Sequence, residues 1–249
     1  VARLKEPFTV FKGNPFIDTV EDARTFASIT AHELVQVGIN MNFAPVLDIA
    51  PKGVDSIMKD RVFKGDAKTI SRLGTQIILT LQRKGIMAVA KHFPGIGRTI
   101  KDSHFSLPVL DIDLESLWQS DMVPFVDAKN QGVAGIMLSH ILYPQLDYHW
   151  PASLSPFIAN DLLRNQMGYD GLVMTDDLDM KAIEHDIKTC IQQILTSGID
   201  MALICHKGPG IDTAFHEIMG WLNRDENLYL MGKKSLERIL RVKKKYLQG

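Results

Sequence analysis

The chain has 249 residues, with 28 lysines and arginines against 29 aspartates and glutamates, so its net charge is −1. This balance gives no basic field for nucleic acid and no acidic tail for a basic partner. No apolar stretch approaches the roughly 20 residues of a membrane-spanning helix, and two cysteines, Cys190 and Cys205, are too few for a disulfide framework. We therefore predict a single globular domain, 1–249, in a reducing, cytoplasmic setting, with export as the alternative.

Helical and strand-like patterns alternate along the chain. The first helix is predicted over 19–37, where Thr19 is a suitable N-cap and Asp22 stands three positions later. Similar helical patterns cover 67–84, 155–167 and 186–197. Nearly continuous apolar runs, typical of strands buried on both faces, cover 41–49, 85–90, 133–140, 171–176 and 200–206. This alternation predicts parallel βαβ units.

Polar residues end or follow each predicted strand: Asp48, Lys91, His92, His140, Asp176 and His206. In a parallel barrel, the carboxyl ends of the strands converge on the face that carries the chemistry. In an open doubly wound sheet they converge on a crevice. Because no GxGxxG or P-loop spacing follows a strand, a nucleotide-binding fold has little support. The sequence therefore favours an α/β fold of the (β/α)8 barrel type, with five of its strands visible.

The segment "KHFPGIGRTIKDSH" contains the densest group of ionisable residues, just after a predicted strand. Asp102 and His104 are two residues apart, so in an extended segment both side chains project to the same side. The carboxylate can then fix the imidazole tautomer, and the histidine can exchange a proton at neutral pH. The alternative is a turn histidine held by its neighbour. Arg98, in the same segment, is interpreted as a solvated charge.

Two adjacent carboxylates end the fourth predicted strand, in "VMTDDLDM". A carboxylate at a strand tip can attack an electrophilic carbon or bind a metal. Aspartate is also a favoured helix N-cap, so one of the two could be in the site and the other a cap. Residue chemistry alone does not choose between Asp176 and Asp177. Arg61, in "DRVFKGD", is either a ligand-contacting arginine or an ordinary surface one.

Taken together, several segments resemble a known family. They are "NMNFAPVLDIA", "RVFKGD", "KHFPGIGRTIKDSHFSLPVL", "IMLSHILYPQLDYHWPASLSP" and "GYDGLVMTDDLDM". In this order they resemble the catalytic barrel of glycoside hydrolase family 3. Because it contains "DSH", the chain resembles the bacterial β-N-acetylglucosaminidase branch of that family in particular. The resemblance covers nearly all of the chain.

The resemblance implies a role for each matching position. Asp176 corresponds to the nucleophile, His104 to the general acid/base and Asp102 to its partner. The substrate-contacting positions of the family fall on Arg3, Arg61, Lys91 and His92. The implied activity is that of a retaining exo-β-N-acetylglucosaminidase that releases N-acetylglucosamine from peptidoglycan fragments, with a carbohydrate as its partner and neither a metal nor an organic cofactor.

The chain departs from the family pattern in two places. Ile96 stands where the family commonly has a second histidine, and the family has three further strands before the position of Val1. We therefore expect the barrel to lack its N-terminal strands in this chain. Two other functions are considered: a metal-dependent hydrolase and a non-catalytic sugar-binding protein. The metal ligands of the first would be His92, His104, Asp102 and Asp176.

Overall fold

The computed structural model describes residues 6–101, 103 and 106–247. Within them lie the strands β1 (Met41–Asn42), β2 (Met87–Phe93), β3 (Gly135–Leu138), β4 (Leu172–Asp177) and β5 (Met201–Leu203). The strands follow one another in the sheet in chain order. Both pairs of defined register, β1 with β2 and β4 with β5, are parallel. The predicted α/β fold with parallel strands is confirmed, whereas closure into an eight-stranded barrel stays a prediction.

Helices connect these strands. They are α1 (Val20–Gln36), α2 (Ala67–Arg83), α3 (Leu114–Gln119), α4 (Val123–Asn130), a π-helix (Phe157–Gln166), α5 (Ile187–Thr196), α6 (Pro209–Arg224) and α7 (Glu226–Leu247). The four predicted helices are present, while α3, α4, α6 and α7 were not predicted. In the described part of the chain, no helix is both long enough and apolar enough to cross a membrane.

The described residues form two compact units. Unit one contains 6–100, 115–136 and 244–247, and unit two contains 101, 103, 106–114 and 137–243. Along the chain, one boundary between the units falls inside β3. The prediction of one domain over 1–249 remains a prediction.

Helix α1 begins in unit one as its sequence predicts. The hydroxyl of Thr19 accepts the N–H of Asp22 at 3.0 Å, and the carboxylate of Asp22 accepts the N–H of Thr19 at 2.9 Å. This reciprocal capping box satisfies two backbone donors that the first turn leaves without helical partners. The apolar face of α1 is buried, and α1 packs against α2.

The strand predicted over 41–49 is shorter in the structure, where β1 ends at Asn42. Pro45 lies inside the predicted run, and proline has no N–H to donate to a strand ladder. The chain still follows β2 beyond this point, because the N–H of Leu47 donates to the carbonyl of Lys91 at 2.7 Å. Asp48 is thereby brought beside the carboxyl end of β2.

Unit two contains a buried charge network that joins β4 to the start of β5. The side chain of Asp200 is fully buried, and its Oδ2 accepts from Arg164 Nη2 at 2.6 Å and from the N–H of Val173 at 2.8 Å. Its Oδ1 accepts from Arg238 Nε at 2.8 Å. Burial lowers the pKa of Arg164, and the charge of Asp200 acts in the opposite direction. One carboxylate therefore balances two arginines from different helices.

Candidate active site

The first group of predicted site residues lies in unit one, at the carboxyl end of β2. Lys91 is half-buried and His92 is buried. Nδ1 of His92 lies 2.7 Å from Oδ2 of Asp48, which is fully buried. The other oxygen of Asp48 accepts the N–H of His92 at 3.2 Å and that of Ile96 at 2.9 Å. A single buried carboxylate thus holds the first half of the histidine-containing segment.

A second buried carboxylate holds the other half of this segment. Arg98 Nε donates to Oδ2 of Asp121 at 2.9 Å, and Asp121 is fully buried. The interpretation of Arg98 as a solvated charge is therefore wrong, because its guanidinium compensates a carboxylate that has no access to water. The dense charge of this segment is explained in part by these two anchors, Asp48 and Asp121.

The glycines of "PGIG" serve a packing purpose. A Cβ at Gly97 would overlap the backbone oxygen of Ile49, so the two backbones approach too closely for any side chain. Ile96, at the position where the resemblance implies a histidine, is buried, and its N–H donates to Asp48. The side chain at position 96 is therefore apolar and enclosed.

Two predicted substrate contacts remain, Arg61 of unit one and Arg3. Arg61 is exposed, and its Nη1 lies 3.6 Å from the sulfur of Met58. Arg3 lies outside the described residues. The assignment of these two arginines to substrate stays a prediction.

The two carboxylates at the end of β4, in unit two, have different hydrogen-bond partners. Oδ1 of Asp177 accepts the N–H of Asp179 at 3.2 Å and that of Cys205 at 3.0 Å. Asp177 therefore holds a turn and joins it to the segment after β5, and it caps no helix. The N-cap of α5 is Asp186, nine residues further along. Asp176 Oδ1 accepts the N–H of Asp177 at 2.9 Å, and Asp176 is half-buried.

His140 supports the same strand end, a role that the sequence did not reveal. His140 is buried, its Nε2 lies 2.9 Å from the carbonyl oxygen of Asp177 and its Nδ1 lies 2.7 Å from Oγ of Ser153. Because a carbonyl only accepts, Nε2 carries the proton and donates it. The position of His140 at a strand end was the available signal, but its partners are separated from it by 13 and 37 residues.

One group of side chains in the described ranges has metal-ligating geometry. It contains Asp177, Asp179 and His206, whose ligand atoms lie within 4.8 Å of one another. His206 Nδ1 is 3.1 Å from Oδ2 of Asp179. The group includes neither His92 nor Asp176, the two described ligands of the metal-dependent alternative. The segment after β5 is joined to the turn after β4 by the N–H groups of Cys205 and His206, which donate to Asp177 and Asp179.

The predicted dyad, Asp102 and His104, lies outside the described residues. Ser103, between them, is described and buried. Its carbonyl oxygen accepts the N–H of Ala182 at 3.1 Å. The backbone between the two dyad positions therefore meets the loop that begins directly after Asp176 and Asp177.

The pKa values of the two cysteine thiols depend on their burial and, for Cys205, on the carboxylates near it. Burial raises the pKa of the Cys190 thiol to about 11. The Cys205 thiol is exposed, and its pKa is raised by partial burial first and by the Asp177 carboxylate second. Since the thiolate is the reactive form, we expect a disulfide reagent at pH 8 to label Cys205 slowly and Cys190 only in urea.

Asp177→Asn removes a negative charge beside Cys205 and keeps an oxygen for the two N–H donors. We expect the labelling rate of Cys205 to increase several-fold, because the thiolate then meets less repulsion. Asp170→Asn is the control, since Asp170 pairs with Arg241. Equal rates in the two variants would show that Asp177 does not act on the thiol.

The fold and the strand-end residues together indicate the class of protein to which the chain belongs. Parallel strands alternate with helices, and carboxylates and histidines stand at the carboxyl ends of the strands, as in the catalytic domains of α/β enzymes. Residues 13–241 match the sequence model described as the glycosyl hydrolase family 3 N-terminal domain. The chain belongs to glycoside hydrolase family 3.

Individual relatives agree with this assignment. The chain is 38% identical over 188 residues to a β-hexosaminidase of Thiobacillus denitrificans, covering 75% of this chain and 52% of the relative. It is 33% identical over 214 residues to a β-hexosaminidase of Methylococcus capsulatus, covering 83% and 64%. A family 3 β-N-acetylglucosaminidase from Paenibacillus sp. str. FPU-7 superposes with a TM-score of 0.91 at 34% identity, covering 98% of this chain and 48% of that one. The chain spans about half the length of several curated relatives.

Proposed function

We propose that the protein is a retaining exo-β-N-acetylglucosaminidase that removes terminal β-linked N-acetylglucosamine from peptidoglycan fragments in the cytoplasm. Family membership and the β-hexosaminidase relatives support a glycosidase acting on such a sugar. The observation that carries the proposal is the hydrogen bond between Ser103 and Ala182. It brings the backbone of the predicted acid/base segment beside the loop that follows the predicted nucleophile.

In the first step, a carboxylate oxygen of Asp176 attacks the anomeric carbon of the sugar. The bond from that carbon to the leaving oxygen breaks, and protonated His104 gives its proton to that oxygen. In the second step, water attacks the same carbon, neutral His104 takes the proton of the water, and the Asp176 carboxylate is released. Two displacements restore the original β configuration.

Asp102 is proposed to orient His104 and stabilise its protonated form, as a carboxylate does for a neighbouring imidazole. A neutral imidazole carries no negative charge toward the substrate when it acts as the base. Arg3, Arg61, Lys91 and His92 are proposed to bind the sugar through its hydroxyl and amide groups.

The stereochemistry of the product tests this mechanism. With an aryl β-N-acetylglucosaminide, we expect proton NMR to show the β-anomer of N-acetylglucosamine first, before it mutarotates. The α-anomer as first product would exclude the covalent route, and sugar binding without turnover would support the non-catalytic alternative.

His104→Ala tests the acid/base role. Aryl leaving groups need little acid assistance, so glycosylation should survive while the second step becomes slow. We expect a burst of released phenol and, by intact mass, a stable enzyme carrying one N-acetylglucosaminyl residue. His216→Ala is the control, because His216 is exposed on α6. Full turnover by His104→Ala on poor leaving groups would contradict the assignment.

A further inference from the structure

Two aromatic rings from different loops meet in unit two. The indole of Trp150 and the imidazole of His185 lie with their centroids 4.8 Å apart and their planes tilted by 48°. Trp150 belongs to the loop that follows β3, and His185 belongs to the loop between β4 and α5. Both loops therefore leave the carboxyl ends of strands, the side of an α/β fold on which substrates bind.

The loop that carries Trp150 is held by one carboxylate. Oδ1 of Asp147 accepts the N–H of His149 at 2.9 Å and that of Trp150 at 3.0 Å. Its Oδ2 accepts the hydroxyl of Ser155 at 2.6 Å. Because the backbone of Trp150 is fixed in this way, a ligand that contacts the indole has little ordering entropy to overcome.

The loop that carries His185 is held at the start of α5. The carbonyl oxygen of His185 accepts a weak hydrogen bond from the thiol of Cys190 at 3.8 Å. The next residue, Asp186, is the N-cap of α5, and its side chain accepts the N–H of Thr189 at 2.8 Å. The imidazole of His185 is therefore attached to an ordered backbone.

The aromatic pair is linked to the strand end that carries the predicted nucleophile, Asp176. Ser153 lies three residues after Trp150, a separation that spans at most about 11 Å. His140 bridges from the hydroxyl of Ser153, at 2.7 Å, to the carbonyl oxygen of Asp177, at 2.9 Å. One imidazole thus joins the loop of Trp150 to the residue directly after Asp176.

Both rings keep apolar and polar surface for a ligand. His185 is exposed and Trp150 is half-buried. Within the described ranges, no hydrogen bond occupies the indole N–H of Trp150 or either ring nitrogen of His185. An indole offers an electron-rich face and one N–H donor, and an imidazole can donate or accept. A pyranose ring is complementary to this pair, because it has C–H groups on its faces and hydroxyl groups on its rim.

We propose that Trp150 and His185 form an aromatic platform that binds the second sugar ring of the substrate, on the far side of the bond that is cleaved. This inference rests on the proposed function and adds to it the residues that recognise the leaving sugar. The C–H groups of that ring carry partial positive charge and are attracted to the face of the indole. The platform therefore favours a saccharide over a substrate with a small leaving group.

The kinetic test compares two substrates that differ only beyond the cleaved bond. They are diacetylchitobiose, a disaccharide of two β-linked N-acetylglucosamine units, and β-N-acetylglucosaminyl fluoride, which has no second ring. We expect Trp150→Ala to lower the ratio of kcat/KM for the disaccharide to kcat/KM for the fluoride about 3- to 10-fold, the scale of one aromatic contact. The control is Trp221→Ala on α6, where the ring lies 3.7 Å from the guanidinium of Arg224. This control should leave the ratio unchanged.

The binding test needs no turnover. Diacetylchitobiose is added to Asp176→Ala protein, and tryptophan fluorescence is recorded. We expect an emission change that persists when Trp221→Ala is added and disappears when Trp150→Ala is added. His185→Ala keeps the indole and replaces an exposed ring, so it should fold, and it should weaken disaccharide binding several-fold.

The outcomes separate the platform from the proposed function. An unchanged substrate ratio in both Trp150→Ala and His185→Ala overturns the platform, and an unchanged ratio in His185→Ala alone decides against it if Trp150→Ala does not fold. Absence of turnover of both substrates by the wild type overturns the proposed function. In that case, a fluorescence change that depends on Trp150 still supports the platform, and absence of the change overturns it.

Discussion

Asp176→Ala should lower kcat/KM for an aryl β-N-acetylglucosaminide by roughly 10⁴-fold, the scale expected when the nucleophile of a covalent mechanism is removed. An activated aryl substrate needs little acid help, so the loss reports the missing nucleophile. Steady-state release of the phenol measures it. Added azide should partly restore turnover, because a small anion can attack from the space that the carboxylate vacates. The product would be the α-glycosyl azide, formed by one displacement.

The matched control is Asp177→Asn, at the adjacent carboxylate. The asparagine oxygen can still accept the N–H groups of Asp179 and Cys205, so the turn after β4 should be retained. We expect a loss far smaller than that of Asp176→Ala and no azide-dependent product. Equal losses in the two variants would show that the nucleophile has not been identified.

Asp200→Ala should cause the largest loss of stability among the described residues that we propose to change. Removing one partner of a buried ion pair costs about 3–5 kcal/mol, because the opposite charge remains without compensation. Here two arginines, Arg164 and Arg238, would lose their carboxylate, and each side chain is at most 13% exposed. The N–H of Val173 would also lose its acceptor. Urea denaturation measures the change in the free energy of unfolding.

Asp170→Ala is the control for this experiment. Asp170 pairs with Arg241 at 2.8 Å, but both side chains are more than half exposed. Exposed ion pairs contribute about 0–1 kcal/mol, so the unfolding midpoint should hardly move. Similar midpoints for Asp200→Ala and Asp170→Ala would mean that the buried network does not stabilise unit two.

Local signals in the sequence were enough to predict several elements. Thr19 and Asp22 indicated the start of α1, and the structure contains that capping box. The apolar runs indicated all five strands because burial on both faces requires continuous apolar residues. The strand predicted over 41–49 is too long, because Pro45 has no N–H to donate to the hydrogen-bond ladder with β2. Helices α6 and α7 were not predicted at all.

The pair Asp176 and Asp177 shows what local sequence signals do not reveal, namely hydrogen-bond partners that are distant in the chain. Adjacent aspartates are chemically identical, and the sequence offered a helix cap as the role of one of them. In the structure, Asp177 instead accepts a hydrogen bond from the N–H of Cys205, 28 residues away. Arg98 was misread for the same reason, because its partner Asp121 is 23 residues away.

The sequence by itself determined the family, the order of the five strands, and which side chains stand at the strand ends. These properties depend on spacing and composition along a continuous stretch of chain. The tertiary structure alone decided the partners: Asp48 for His92, Ser153 for His140, and Asp200 for two arginines. A buried polar group must find a partner, but burial does not specify which distant residue supplies it, and only the packed fold makes that choice.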